Sequence, residues 1–157
     1  MGEVIPHATL AHLADLLHSQ GKQIVTTNGC FDLLHVGHVR ILQAARQLGD
    51  VLIVGINSDE SVRKLKGLHR PITKQSDRAE ILASLSCVDF VTIFSEDTPV
   101  EFLKVVKPSI HVKGSDYRPE DLAEKPVVES FGGQLKLLEL VPNYSTSSIV
   151  SGIANSQ

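Results

Sequence analysis

Val51-Leu-Ile-Val-Gly-Ile56 is a continuous run without a polar side chain. A strand with one wet face alternates apolar and polar residues, so this one reads as a parallel strand buried on both faces. The pattern repeats on either side of it. Ile24 to Thr27 is a short, largely β-branched run that ends in the turn signal Asn28-Gly29. Val88 to Phe94 and Ser109 to Val112 read as further strands, and Gln134 to Val141 is a fifth candidate. Helices are expected between them. Ile41, Leu42, Ala45 and Leu48 recur at helical spacing, with Gly49 expected to stop the helix. Ile81, Leu82 and Leu85 mark another. Thr98-Pro99-Val100-Glu101 predicts a third, with Thr and Glu as a capping box and proline at the first helical position; Pro108 forbids its continuation. Strands alternating with helices predict an α/β, doubly wound fold: a mainly five-stranded parallel sheet, right-handed crossovers and helices on both faces. Ligands bind such sheets at the carboxyl ends of the strands, so chemistry is expected just after the first strand.

Composition narrows the classes. The chain has 157 residues, 42% of them hydrophobic, enough to bury a core without staples. With 15 Lys+Arg against 18 Asp+Glu, a net charge of −3 gives no global attraction to nucleic acid. Cys30 and Cys87 cannot form a multi-bridge secreted scaffold. No apolar run reaches the roughly 20 residues of a membrane span, and Met1 to His7 has no signal-peptide pattern. A cytoplasmic domain with neither a nucleic-acid nor a membrane partner is expected.

The segment after the first strand reads Asn28-Gly-Cys-Phe-Asp-Leu-Leu-His35-Val-Gly-His38. It is neither the glycine fingerprint of a dinucleotide site nor a P-loop. Two histidines three residues apart at the mouth of a helix can face one side and share a ligand. Gly37 lets a phosphate approach the backbone, and free amides with the positive end of the helix dipole add attraction. Phosphate handling fits best. Two other readings stand beside it: histidines that only cap or fill, and a zinc site with Cys30 and Asp32, for which no second Cys/His cluster follows.

These residues resemble the H-x-G-H nucleotidyltransferase superfamily, which is cytidylyltransferase-like and has a Rossmann-like fold. Thr27-Asn-Gly-Cys-Phe-Asp-Leu-Leu-His35, Asn57-Ser-Asp-Glu-Ser61, Arg70-Pro-Ile72, Asp77-Arg78, Val88-Asp89, Glu96-Asp-Thr-Pro99, Val112-Lys-Gly-Ser-Asp-Tyr117 and Tyr144-Ser-Thr-Ser147 fall in order. Together they are similar to the adenylyltransferase domain of ADP-heptose synthases, which act in lipopolysaccharide-precursor biosynthesis. The resemblance runs from about Ile24 to Val150. It implies a single nucleotidyltransferase domain over 1–157, with a core at about 23–150 and an N-terminal extension at 1–22.

The implied reaction is in-line attack of a sugar 1-phosphate on the α-phosphorus of ATP, without a covalent enzyme intermediate. The resemblance makes His35, His38, Lys66 and Lys113 catalytic. It puts Gly29, Cys30, Phe31, Gly37, Lys113, Gly114, Ser145, Thr146 and Ser147 against the nucleotide. Asp32, Lys64, Arg70, Arg78, Asp116 and Tyr117 fall to the substrate. Mg2+ is expected as the counter-ion of the triphosphate, with no metal site on the protein. The resemblance further implies a homodimer and a separate sugar kinase that supplies the 1-phosphate. His7, His12 and His18 are expected on the surface, His69 near the substrate, and His111 as a satisfied interior histidine.

Two departures weigh against a CTP-dependent enzyme acting on glycerol 3-phosphate. That branch carries Arg-Tyr-Val-Asp where this chain has Ser86-Cys-Val-Asp89. It also has an arginine shortly before the Ser-Thr-Thr segment, where Val141-Pro-Asn-Tyr144 has none. A nucleotide-binding module without catalysis is the alternative from another class.

Overall fold

The computed structural model describes residues 1–139 and 145–155. Along the chain run β1 (Glu3–Val4), α1 (His7–Ser19), β2 (Ile24–Gly29), α2 (Val36–Arg46), β3 (Val51–Asn57), α3 (Asp59–Lys66) and α4 (Gln75–Ala83). There follow β4 (Phe90–Phe94), α5 (Val100–Val106), β5 (Ile110–Gly114), a short 3-10 turn at Pro119–Asp121, α6 (Glu124–Ser130), β6 (Gln134–Leu138) and α7 (Thr146–Ala154). The strands form one sheet in the order β1-β4-β3-β2-β5-β6, and every neighbouring pair is parallel. Strand order reverses between β2 and β5, which opens a crevice at their carboxyl ends.

Alternation along each strand divides the core between the two faces. Val25, Leu52, Val54, Ile56, Val91 and Val112 pack with Leu42 and Ala45 of α2 and Leu82 of α4. Ile24, Val51 and Ile53 pack on the other face with Leu10 of α1, Phe102 and Leu103 of α5, and Val128 of α6. Gly55 belongs to this second face. A Cβ there would lie 3.1 Å from the Phe102 ring, so the glycine admits that ring against the sheet.

The doubly wound sheet is as expected, with six strands in place of five. The sixth is β1, whose Glu3 and Val4 pair with Phe90 and Val91. Residues 1–22 are thus built into the sheet and its second face through β1 and α1. His18 is exposed, as expected, and its Nε2 meets the Val106 carbonyl at 2.9 Å, tying α1 to the end of α5.

Several local signals act differently from their sequence reading. β4 begins at Phe90, and the preceding Asp89 accepts the Leu52 amide at 2.8 Å and pairs with Arg46 at 2.9 Å. Gly49 does not cap α2, which ends at Arg46. Its role is close packing, since a Cβ would lie 2.6 Å from the Gln23 carbonyl. The Thr98–Glu101 capping box does not form: α5 starts one residue later than predicted, with Pro99 at the N-cap and no side-chain cap. The last strand ends at Leu138; Val141 and Tyr144 lie outside the described residues.

Candidate active site

The crevice at the switch point is a cleft of about 580 Å³. It lies at the carboxyl ends of β2, β3 and β5 and is closed by the starts of α2 and α7. One wall grows from β2. After Gly29 the chain turns through Phe31, held in the left-handed region at φ 47°, and enters α2 with His35 at its N-cap. Extended backbone at His35 followed by helix places His35 and His38 on one side. Their rings stack with centroids 3.8 Å apart, and Phe31 tilts against His38 at 5.0 Å. Burial, followed by the neighbouring His35, pushes His38 down to about 4; burial also lowers His35. Both imidazoles are therefore neutral at pH 7. His38 Nδ1 is buried without a hydrogen-bond partner, so the tautomer protonated at Nε2 avoids burying an unpaired N–H. The first amides of α2 have no intrahelical acceptor and carry the positive end of its dipole.

The opening of α7 faces the same cleft. Ser145 and Ser148 form a reciprocal capping box, and the Thr146 hydroxyl donates to the Leu33 carbonyl at 3.2 Å, fastening α7 to the segment that leads into α2. Ser145, Thr146 and Ser147 all line the cleft, as do Lys66 and Arg70.

The opposite wall grows from β5. Val112 points into the α2 face of the core, so Lys113 projects on the other side. Its ammonium donates to Asn28 Oδ1 at 3.0 Å, pairs with Glu124 Oε1 at 3.1 Å and lies 4.9 Å from the centroid of the Tyr117 ring. Gly114, Asp116 and Tyr117 complete this wall. Burial, then Asp116 and Glu124, raise the Tyr117 hydroxyl above its ordinary range.

The cleft collects sixteen of the eighteen residues singled out from sequence, including Gly29, Cys30, Asp32 and Gly37. Asp32 does so as a structural anchor: its carboxylate accepts the Ile72 and Thr73 amides at 2.7 and 2.9 Å and pairs with Arg70. The two left outside are Lys64 and Arg78. Lys64 is exposed and pairs with Glu60 at 3.2 Å along α3. Arg78 is 1% exposed and bonded in three directions, to the carbonyls of Thr73 and Cys30 and to Asp59 Oδ1 at 2.8 Å. With every donor direction turned inward, it braces the turn after β2 against the α3–α4 connection. His69 is exposed and does not line the cleft.

His111 is wholly buried, with Nδ1 2.8 Å from the Thr26 hydroxyl and Nε2 without a partner, so it is only half satisfied. Burial and then Lys113 push it down to about 3. Sequence reasoning missed Glu124 and Asn57 as cleft residues. Asn57 ends β3 as Lys113 follows the core of β5, a position that flags it; Glu124, ten residues into an irregular connection, carries no such signal.

A parallel sheet with its cleft at the switch point, walled by helix starts, defines a nucleotide-binding α/β protein of the nucleotidyltransferase fold. The family model described as cytidylyltransferase-like matches residues 26–151. The chain belongs to the cytidylyltransferase-like family, and is a nucleotidyltransferase by that membership. It is 51% identical over 145 residues to the bifunctional protein HldE of Syntrophotalea carbinolica, covering 92% of this chain and 30% of that one. The corresponding protein of Geobacter metallireducens is 52% identical over 144 residues, covering 92% and 29%. The chain thus spans under a third of the length of these relatives. Among solved structures, the lipopolysaccharide core biosynthesis protein of Thermoplasma volcanium superposes with a TM-score of 0.65 at 26% identity, covering 80% of this chain and 100% of that one. Pantoate-beta-alanine ligase of Francisella tularensis, at 17% identity and a TM-score of 0.65, covers 99% of this chain and 77% of that one and shares the fold. No helix among the described residues is long and apolar enough to cross a membrane.

Proposed function

We propose that the chain transfers AMP from ATP to a sugar 1-phosphate, D-glycero-β-D-manno-heptose 1-phosphate, giving an ADP-sugar and pyrophosphate. The stacked His35–His38 pair at the mouth of α2 carries this reading, set beside the start of α7 in one cleft. An oxygen of the sugar phosphate attacks the α-phosphorus in line. The bond to the bridging oxygen breaks, and its electron pair leaves with pyrophosphate. The attacking group is already an anion, so no general base is needed. The protein's work is to position two polyanions and to meet the charge that grows on the leaving group. Neutral His35 and His38 donate N–H groups to it, together with the first amides of α2. The start of α7 and the cation Lys66 hold the remaining phosphates, Arg70 faces the acceptor from its pair with Asp32, and the Gly29–Phe31 turn lies along the nucleotide.

Mg2+ enters as part of the substrate, bound to ATP. Among the described residues no group of three or more His, Cys, Asp or Glu could hold a metal ion, and the two buried carboxylates of the cleft, Asp32 and Glu124, are already committed to Arg70 and Lys113. The reading also implies a kinase step upstream to make the 1-phosphate, a cytoplasmic setting and assembly of two copies. Initial rates of pyrophosphate release with ATP and CTP, each against a panel of sugar phosphates, test it. ATP is expected to be preferred by more than tenfold. A tenfold preference for CTP would overturn the adenylyl assignment, and no turnover with any acceptor would favour a binding module.

A further inference from the structure

The two walls of the cleft are electrically unlike. The α2 wall offers N–H donors, and the buried carboxylate beside them, Asp32, is spent on the Ile72 and Thr73 amides and on Arg70. The β5 wall contains Lys113, which by residue type is a phosphate ligand. Its surroundings say otherwise. The side chains of Lys113 and Glu124 are 9% and 7% exposed, and the ammonium is held on three sides by Glu124, Asn28 and the Tyr117 ring. An ammonium paired with a buried carboxylate adds almost no net charge to a cleft. Glu124 and Asp116 both act on Tyr117, so two carboxylates sit at this end. A polyphosphate placed here would meet both carboxylates beside an ammonium that Glu124 already neutralises.

We propose that Glu124 is a positioning and specificity residue: it pins Lys113 at the β5 wall as a neutralised hydrogen-bond donor for the uncharged, nucleoside part of the substrate, and it repels phosphate from that wall. The triphosphate can then lie in one direction only, with its phosphates at the starts of α2 and α7. This rests on the cleft being the nucleotide site proposed above, but not on turnover. It narrows the part that family resemblance gives to Lys113, from a catalytic and nucleotide-binding residue to a reader of the nucleoside.

The test is a calorimetric titration of the full chain with ATP, adenosine and inorganic tripolyphosphate, for wild type, Glu124→Gln and the double variant Lys113→Met/Glu124→Gln. Glu124→Gln keeps the shape of the side chain and frees the charge of Lys113. Tripolyphosphate is expected to bind it roughly tenfold more tightly and adenosine roughly tenfold more weakly, so the ratio of the two affinities moves about a hundredfold. A role confined to stability would lower the melting temperature and leave that ratio in place. The double variant Lys113→Met/Glu124→Gln, which removes both charges of the pair, is expected to weaken adenosine binding, with tripolyphosphate held as in wild type. If Glu124→Gln does not fold, that second variant decides. A fall in tripolyphosphate affinity in either variant, or an unmoved ratio in Glu124→Gln, would overturn the proposal. Failure of the wild type to release pyrophosphate would count against the transferase reading alone, since none of these titrations needs chemistry.

Discussion

The turn after β2 and the turn after β5 leave neighbouring strands at the same end of the sheet, yet they are built by opposite means. The first is a lattice of backbone. Its amides, an aromatic ring at positive φ and two neutral imidazoles are aimed into the cleft, its charged side chain Asp32 is tied to the Ile72 and Thr73 amides, and Arg78 of α4 holds it from behind. The second is a lattice of side chains, where an ammonium, an amide, a phenol ring and a carboxylate hold one another. Fixed dipoles suit a charge that appears only in the transition state, because nothing needs to reorganise as it forms. A balanced ion pair suits a group whose charge never changes.

The contrast can be broken most forcibly at the brace behind the first wall. Arg78→Met leaves two buried carbonyls and Asp59 without their cation, and losing one partner of a buried pair costs about 3 kcal/mol. For a chain of this size the midpoint of thermal unfolding should fall by about 6–12 °C. A loss below 2 °C would mean that the turn holds itself. His38→Ala tests the same wall from inside the cleft. Removing one preorganised donor should lower kcat by about a hundred- to a thousandfold with KM little changed. An equal rise in KM with kcat preserved would make the histidine a binding group only.

Acid sharpens the comparison on the strand that carries the second wall. His111 has a folded value of about 3, against about 6.5 in the unfolded chain. Below pH 6.5 the unfolded state therefore takes the proton first. The stability contributed by the neutral ring is complete above that pH and is lost progressively toward pH 3. At pH 5 the loss is about 2 kcal/mol from this residue, and His111→Asn should reduce the fall in melting temperature between pH 7 and pH 5. An unaltered fall would place the acid sensitivity elsewhere. The smallest effect belongs to Lys64→Ala. Its exposed pair with Glu60 is worth less than about 0.5 kcal/mol, and neither stability nor initial rate should move measurably. A tenfold loss of rate would return Lys64 to the site.

Much of this was legible in the sequence, and the limits have physical causes. Apolar runs such as Val51 to Ile56 reveal strands because burial on both faces leaves no room for polar residues. The histidine pair is legible because three-residue spacing at a helix start fixes a shared direction. β1 is not, since two residues contain no period. Nor is the difference between Arg70, in the cleft, and Arg78, behind it. Both are arginines near one connection, and what separates them is a carbonyl at Cys30, 48 residues from Arg78 along the chain. Glu124 escapes for the same reason: its meaning lies in Lys113, on another element. Cap signals failed by a single residue at Thr98, where proline took the cap position.

The shortest strand has a consequence for the life of the chain in a crowded solution. Without Glu3 and Val4, the edge of the sheet would be Phe90-Val-Thr-Ile-Phe94, an apolar five-residue ribbon with unpaired amides and carbonyls. Such a ribbon is a template for the same segment of another molecule, and a route to fibrous aggregates. β1 covers its first two residues, Phe90 and Val91, and is cut short by Pro6, while the far edge alternates exposed Gln134 and Lys136 along β6. Both borders of the sheet thus end in strands that are short or polar, and Glu3 and Val4 shield the start of β4 from pairing with another molecule.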